Sequence, residues 1–176
     1  MFEKQKVVLT GSPASGKTTL LNRVNHPEIS CFEEVSRAVI SASQANGAQR
    51  PFLENPLAFS EAIFENRLHD YFKASNTPVQ LYDRGIHDVV AYLYELGDDV
   101  PCGMEEDCKN LTYDKVFILP PWEAIFEQDE QRAENFNEAK KLHNALVETY
   151  NAFGMKCIEV PRVSVANRLA FILKNL

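Results

Sequence analysis

Eight residues near the start of the chain have the types and the spacing needed to hold a nucleoside triphosphate. Residues 11–18 read GSPASGKT and match the pattern G-x-x-x-x-G-K-[ST] at every fixed position. The two glycines allow a tight turn, so that successive backbone N–H groups converge on a β-phosphate at a helix N-terminus. Lys17 brings a positive charge to the β- and γ-phosphates, and the Thr18 hydroxyl is placed to ligate Mg²⁺. This phosphate loop predicts that ATP binds together with Mg²⁺, and the choice of ATP over GTP stays open. The residues predicted to contact the nucleotide are Gly11, Ser12, Pro13, Ala14, Ser15, Gly16, Lys17, Thr18 and Thr19.

A second group of charged residues stands at the end of the third predicted strand, where the chain reads LYDRG. Asp83, beside the phosphate loop, would hold Mg²⁺ through water, and the adjacent guanidinium of Arg84 would reach a phosphate. The alternative is a surface ion pair at a strand end. We expect Thr18 and Asp83 to form the metal site.

The second predicted strand also ends in carboxylates, Glu33 and Glu34, with Arg37 one helical turn later. Because strand residues alternate between faces, one of the two carboxylates should face the crevice at the carboxyl ends of the strands, and we favour Glu34. It would take the proton of an acceptor hydroxyl, while Arg37 would hold an anionic group of the acceptor. The alternative is a solvent-exposed glutamate with an arginine on the helix surface.

Two further arginines are candidates. Arg132 lies in the polar segment 120–135, which follows the fourth predicted strand. A long segment at this place is typical of a lid. If the lid closes over the transferring phosphoryl group, Arg132 would stabilise the charge of the transition state. The alternative is a solvated charged segment. Trp122 in the same segment would either stack on a base or anchor the segment. Arg67 would line an acceptor pocket or form a helix-surface salt bridge with Asp70.

The elements that position these residues alternate along the chain. Short apolar runs rich in Val and Ile predict buried parallel strands at 6–10, 29–33, 79–83, 115–119 and 156–160. Helical periodicity and capping residues predict helices between them, with Asn55 and Ser164 as N-caps and Gly97 and Gly154 as terminators. One of these helices should bury Leu57, Ile63, Leu68, Tyr71 and Phe72. Segments 97–111 and 120–135 are weakly patterned and predict loops. The class is α/β.

The composition limits the classes of molecule that this protein is expected to bind. Eighteen basic and 25 acidic residues give a formal charge of −7, which disfavours a nucleic acid polymer. The longest apolar runs are far shorter than the roughly 18 residues of a membrane span. The chain shows no export signal, and its cysteines have no C-x-x-C spacing, two of them falling in predicted buried strands. We therefore expect a single domain over residues 1–176, cytoplasmic, with reduced thiols and a small-molecule partner; its oligomeric state stays open.

Together, FEEVSRAVI (32–40), LYDRGIHDVVAY (81–92) and ILPPWEAIFEQDEQR (118–132) resemble a compact AAA-type P-loop family of predicted ATPases and kinases. The ribosylnicotinamide kinase domain is related to this family, and nucleoside and nucleotide kinases share the same group. The resemblance implies a three-layer αβα fold with a five-stranded parallel sheet in the order 2-3-1-4-5. It also implies that the loop after the fifth strand, with Pro161 and Val163, touches the adenine. Deoxynucleoside kinases carry Glu-Arg-Ser where this chain has Asp83-Arg84-Gly85.

These residues favour an ATP-dependent phosphotransferase that acts on a small acceptor, for which a nucleoside or a nucleotide-like compound is one candidate class. The catalytic candidates are Lys17, Glu34, Asp83, Arg84 and Arg132, and the candidates for contacting the acceptor are Glu34, Arg37, Arg67 and Arg84. The alternatives are an NTP hydrolase and a nucleotide-dependent switch protein that has no small acceptor.

Overall fold

The computed structural model describes residues 4–45, 47, 49–126 and 135–176. Its centre is a parallel five-stranded sheet with the strand order β2-β3-β1-β4-β5, which confirms the order implied by the family resemblance. β1 lies in the middle, paired with β3 on one side and β4 on the other. The strands are β1 (Gln5–Gly11), β2 (Ile29–Phe32), β3 (Val79–Asp83), β4 (Lys115–Leu119) and β5 (Cys157–Glu159).

Helices cover both faces of the sheet and complete the three layers. A short 3₁₀ turn, Glu123–Ile125, follows β4. The helices are α1 (Lys17–Leu21), α2 (Ser36–Ala45), α3 (Pro51–Glu54), α4 (Pro56–Phe72), α5 (Ile86–Leu96), α6 (Cys102–Asn110), α7 (Phe136–Ala152) and α8 (Val165–Lys174).

The core consists of two clusters, one on each face of the sheet. Alternate residues of one strand contribute to opposite clusters, as the apolar runs predict for strands covered on both sides. In β1, Val8 packs toward α5 and α7, whereas Val7 and Leu9 pack toward α1 and α8. Tyr150 of α7 belongs to the first cluster and Leu20 of α1 to the second, and both are fully buried.

Capping residues and glycines mark the helix ends, as the sequence predicts. The side chain of Asn55 accepts a hydrogen bond from the N–H of Ala58, and that of Ser164 accepts one from Asn167. Gly97 and Gly154 adopt φ values of 75° and 81° just after α5 and α7, a conformation that glycine adopts without strain. The predicted caps and terminators are therefore confirmed.

Three sequence expectations about burial and local structure were wrong. Leu57 and Phe72 of α4 are 46% and 67% exposed, and the helix instead buries Phe64 and Arg67, because its inner face is rotated toward α5 and the site. Segment 97–111 contains helix α6, which buries Met104 and Cys108.

Cys31 is exposed and Cys157 is half-buried, because β2 and β5 form the edges of the sheet. The four cysteines are free thiols. In the described part of the chain, no helix is long and apolar enough to span a bilayer.

Candidate functional site

A cleft of about 780 Å³ opens where the phosphate loop meets the carboxyl ends of β2 and β3. One end carries the charged residues of β2 and β3, and the other lies against α8 and the turn after β4. Most of the predicted site residues face this one cleft. It is lined by Pro13 to Thr19 of the phosphate loop and α1, by Glu33, Glu34, Arg37, Asp83 and Arg84, and by Ala124, Ile125, Val165 and Arg168.

The glycines of the phosphate loop are required by the backbone. Gly11 has a φ of 146°, and a Cβ there would lie 2.6 Å from the carbonyl oxygen of Leu119 in β4. Gly16 has a φ of 89° and is the N-cap of α1. The loop therefore passes close to β4 and turns directly into α1, as the sequence pattern predicts.

The Lys17 side chain is buried and lies along its own loop. Its Nζ donates to the carbonyl oxygens of Gly11 at 2.8 Å and Ser12 at 3.0 Å, and reaches the Oγ of Ser15 at 3.4 Å. Burial and the neighbouring Arg84 charge together lower the pKa of Lys17 to about 7, against the opposing effect of Asp83. An incoming phosphate would reverse this shift by pairing with the ammonium group.

Asp83 carries a buried oxygen that has no hydrogen-bond donor among the described residues, its Oδ1. The residue is 8% exposed and lines the cleft together with Thr18, whose side chain is exposed. Burial raises the pKa of Asp83, although Arg84 and Lys17 oppose the shift. A carboxylate and a hydroxyl suit Mg²⁺, which prefers oxygen ligands and keeps several waters, so these residues fit the ion. No cluster of three or more His, Cys, Asp or Glu residues able to hold a metal occurs among the described residues.

Glu34 is held between two arginines. Arg67 reaches its Oε1 at 2.8 Å and the Nε of Arg84 reaches its Oε2 at 2.7 Å, while the N–H of Ser36 donates to Oε1 at 3.2 Å. Burial alone would raise the pKa of Glu34, but the two guanidinium groups outweigh it and lower the pKa to about 2. Arg67 thus pairs with Glu34 and not with Asp70, which rules out the alternative of a helix-surface salt bridge and leaves the acceptor role as a prediction.

Arg84 has a backbone conformation unusual for a residue with a side chain, with φ at 72°. Its guanidinium lies between Glu34 and Asp88, with Nη1 3.2 Å from Asp88 Oδ1, and 5.7 Å from the ring centroid of Tyr92. Strain of this kind persists only where surrounding contacts enforce it, and it concentrates at functional sites.

Asp88 is a residue that the sequence interpretation missed. It is fully buried in the first turn of α5, where it accepts hydrogen bonds from Thr10 Oγ1, from Tyr150 Oη at 2.6 Å and from the N–H of Gly85 at 3.0 Å. Its carboxylate accepts from the N–H of Gly85, the N-cap of α5, and it stands four residues after Arg84, a spacing typical of ion pairs, so the spacing of these two charges was the signal present in the sequence.

Arg168 of α8 is the second missed residue. It lines the cleft, and its Nη1 donates to the carbonyl oxygen of Ser15 at 3.3 Å. Its guanidinium lies 5.5 Å from the ring centroid of Trp122. The spacing of apolar residues in α8 was readable, but nothing local linked position 168 to the phosphate loop.

Some of the remaining predicted site residues line the cleft and others do not. Arg37 lines the cleft with its side chain exposed, and Glu33 lines it as well, more exposed than Glu34. Pro161 and Val163 are not among the described lining residues, and Val163 is 37% exposed. Arg132 and most of the second half of the expected lid lie outside the described residues.

The comparisons with known proteins agree on the fold. A model of the AAA domain family matches residues 6–168. Deoxyadenosine kinase from M. mycoides with bound dATP superimposes with a TM-score of 0.69 at 14% identity, covering 97% of this chain and 98% of that one. The same enzyme with the products dCMP and a flexible dCDP gives 0.69 at 15% identity, with the same coverage. No curated protein matches the sequence. The chain therefore belongs to the AAA domain family and has the P-loop fold seen in nucleoside kinases.

Proposed function

We propose that the protein is a Mg²⁺- and ATP-dependent phosphotransferase that acts on a small-molecule acceptor. The observation that carries the proposal is that one cleft holds the phosphate loop with Lys17, the unpartnered oxygen of Asp83 and the Glu34–Arg84 pair. The phosphate loop with Lys17 would bind the phosphate donor, Asp83 would bind the metal, and the Glu34–Arg84 pair would contact the acceptor. The fold shared with nucleoside kinases is consistent with this assignment.

The donor half of the site is the phosphate loop. Its N–H groups and the ammonium of Lys17 would bind the β- and γ-phosphates once the lysine releases the carbonyl oxygens that it contacts here. Thr18 and Asp83 would hold the magnesium ion. Bound there, the ion would neutralise charge on the β- and γ-phosphate oxygens.

The acceptor half is organised by Glu34. With a pKa of about 2, its carboxylate is ionised at neutral pH and is a weak base. It would therefore orient an acceptor hydroxyl by accepting its hydrogen bond, and would receive the proton late, as the bond to phosphorus forms. Arg67 fixes the carboxylate from behind, and the exposed Arg37 would hold an anionic group of the acceptor.

Charge on the transferring phosphoryl group would be shared among several cations. Lys17 and Arg84 line the cleft, and we propose that Arg132 joins them when the segment 120–135 closes as a lid. Closure would also exclude water, which is what separates transfer to an acceptor from hydrolysis. The free thiols fit a cytoplasmic protein, and we propose one domain over residues 1–176 with a small molecule, rather than a nucleic acid or a membrane, as partner.

The test is a screen for ADP release over nucleosides, nucleoside monophosphates, sugars and vitamins, with Mg·ATP as donor. Transfer should give ADP and a phosphorylated acceptor with little free phosphate. Lys17→Ala and Arg132→Ala should each lower turnover by about 10² or more, as expected for loss of one preorganised charge-stabilising group. Lys174→Ala, an exposed lysine at the end of α8, is the control and should leave turnover unchanged.

Three outcomes would contradict the proposal. Fast phosphate release without any acceptor would identify an NTP hydrolase, and slow release that no acceptor accelerates would identify a nucleotide-dependent switch. Normal ATP turnover by Lys17→Ala would show that the phosphate loop does not carry the chemistry.

A further inference from the structure

Arg168 is a buried cation at the end of the cleft opposite the acceptor residues. It is 5% exposed, and its Nη1 hydrogen bond to Ser15 holds it against the phosphate loop. A Cβ on Gly16 would lie 3.0 Å from the same Nη1, so the guanidinium lies directly on the loop backbone. The residue lines the cleft from α8, which is not part of the phosphate loop.

The charge of Arg168 has no carboxylate partner among the described residues. The other two buried arginines of the site, Arg67 and Arg84, both form ion pairs with Glu34. Arg168 Nε is also buried without a hydrogen-bond acceptor in the described part of the chain. A desolvated donor left unpaired is costly, so this group points to a ligand that supplies an acceptor.

The surroundings of Arg168 suit a flat apolar ring better than a phosphate. The cavity wall beside it is formed by the side chains of Ala124, Ile125 and Val165, whereas the carboxylates and other arginines lie toward β2 and β3. The centroid of the Trp122 ring lies 5.5 Å from the guanidinium, and Arg168, but not Trp122, is among the described residues that line the cleft. Arg168 is therefore the residue of this pair that a ligand in the cleft would contact.

We propose that Arg168 is a base-binding residue: the face of its guanidinium stacks on the purine of the nucleotide, and its Nε–H, which lies in the guanidinium plane, donates to a ribose oxygen beside the purine. Guanidinium planes stack readily on bases and on aromatic rings. The inference rests on the proposed nucleotide site and deepens it, because it assigns base recognition to α8.

The experiment compares a ligand that has the base with one that lacks it. Binding of Mg·ATP and of magnesium with inorganic triphosphate is measured calorimetrically for the wild type, Arg168→Gln, Arg168→Lys and the control Arg23→Gln. The glutamine keeps a donor for the Ser15 carbonyl, and the lysine keeps the charge but not the flat face. Arg23 is exposed, two residues beyond the end of α1.

Both Arg168 variants should bind ATP about tenfold more weakly, a change of about 1.4 kcal/mol, while their affinity for triphosphate stays at the wild-type value. Arg23→Gln should leave both affinities unchanged. Should Arg168→Gln fail to fold, Arg168→Lys carries the same comparison.

Equal weakening of ATP and triphosphate would overturn the proposal, because Arg168 would then act on the phosphates or on the shape of the loop. Unchanged ATP binding would overturn it as well. A wild-type protein that binds neither ligand would instead refute the nucleotide site itself, so the two failures are distinguishable.

Discussion

Replacing Asp88 by asparagine should destabilise the protein strongly, because this fully buried carboxylate accepts four hydrogen bonds. Oδ1 takes those from Thr10 and Arg84, and Oδ2 takes those from Tyr150 at 2.6 Å and Gly85 at 3.0 Å. Asparagine has one acceptor oxygen, and its NH₂ group would face two donors whichever way the amide is turned. At least two buried hydrogen bonds are therefore lost.

The magnitude follows from those bonds. Each hydrogen bond to a charged group contributes about 1.5–3 kcal/mol, so the loss of two predicts a decrease of about 3–6 kcal/mol in the free energy of unfolding. In a domain of this size, each kcal/mol lowers the melting temperature by about 2–4 °C, so the expected decrease is on the order of 10 °C.

Thermal unfolding followed by circular dichroism measures this effect, with urea titration as the second probe. Asp98→Asn, at an exposed position just beyond α5, is the matched control and should melt as the wild type does. In a double-mutant cycle, Asp88→Ala and Tyr150→Phe should be less than additive, because both remove the hydrogen bond from Tyr150 to Asp88. If Asp88→Asn melts within about 2 °C of the wild type, a shift worth at most about 1 kcal/mol, the network does not carry the stability assigned to it.

Two further predictions concern the charge on Lys17 and the space around Gly85. The pKa of Lys17 is about 7, and a bound phosphate would favour the ammonium form. The Kd for Mg·ATP should therefore rise about tenfold per pH unit above pH 7.5, with uptake of about one proton at pH 8. Calorimetry in buffers of different ionisation enthalpy measures both, and a Kd that does not depend on pH would contradict the assignment. Gly85→Ala should lower the free energy of unfolding by about 1–3 kcal/mol, because the added Cβ would lie 2.6 Å from Tyr150 Oη and 2.8 Å from Tyr113 Cε2. Gly103→Ala, where a Cβ meets nothing within 4 Å, is its control in urea unfolding, and equal stability of the two variants would refute the steric argument.

The crowding at Gly85 also bears on the difference from deoxynucleoside kinases, which carry serine in the corresponding place of their Glu-Arg-Ser sequence. Here the hydroxyl of Tyr150 and the ring of Tyr113 occupy the space that a serine side chain would need. The glycine is therefore part of the same packing that holds Asp88 and Arg84. The departure in sequence has a structural cause in the residues around it.

Much of the fold was predictable because its signals are local. The phosphate loop, the strand positions and the caps at Asn55 and Ser164 each depend on residues within a few positions of one another. The sheet order came from the family resemblance, since strand length and apolar content are compatible with several orders. The failures lie where burial depends on neighbours, as for Phe72 on α4 and Cys31 on an edge strand.

The sequence by itself determined which groups this protein has for chemistry: a phosphate loop, a strand ending in Asp83 and Arg84, and another ending in Glu34. Only the tertiary structure decided which partners those groups have. Arg67 meets Glu34 across 33 positions of the chain, Asp88 meets Thr10 across 78, and Arg168 meets Ser15 across 153. Such contacts depend on how the helices pack on the sheet, and that packing is set by the whole core rather than by any local pattern.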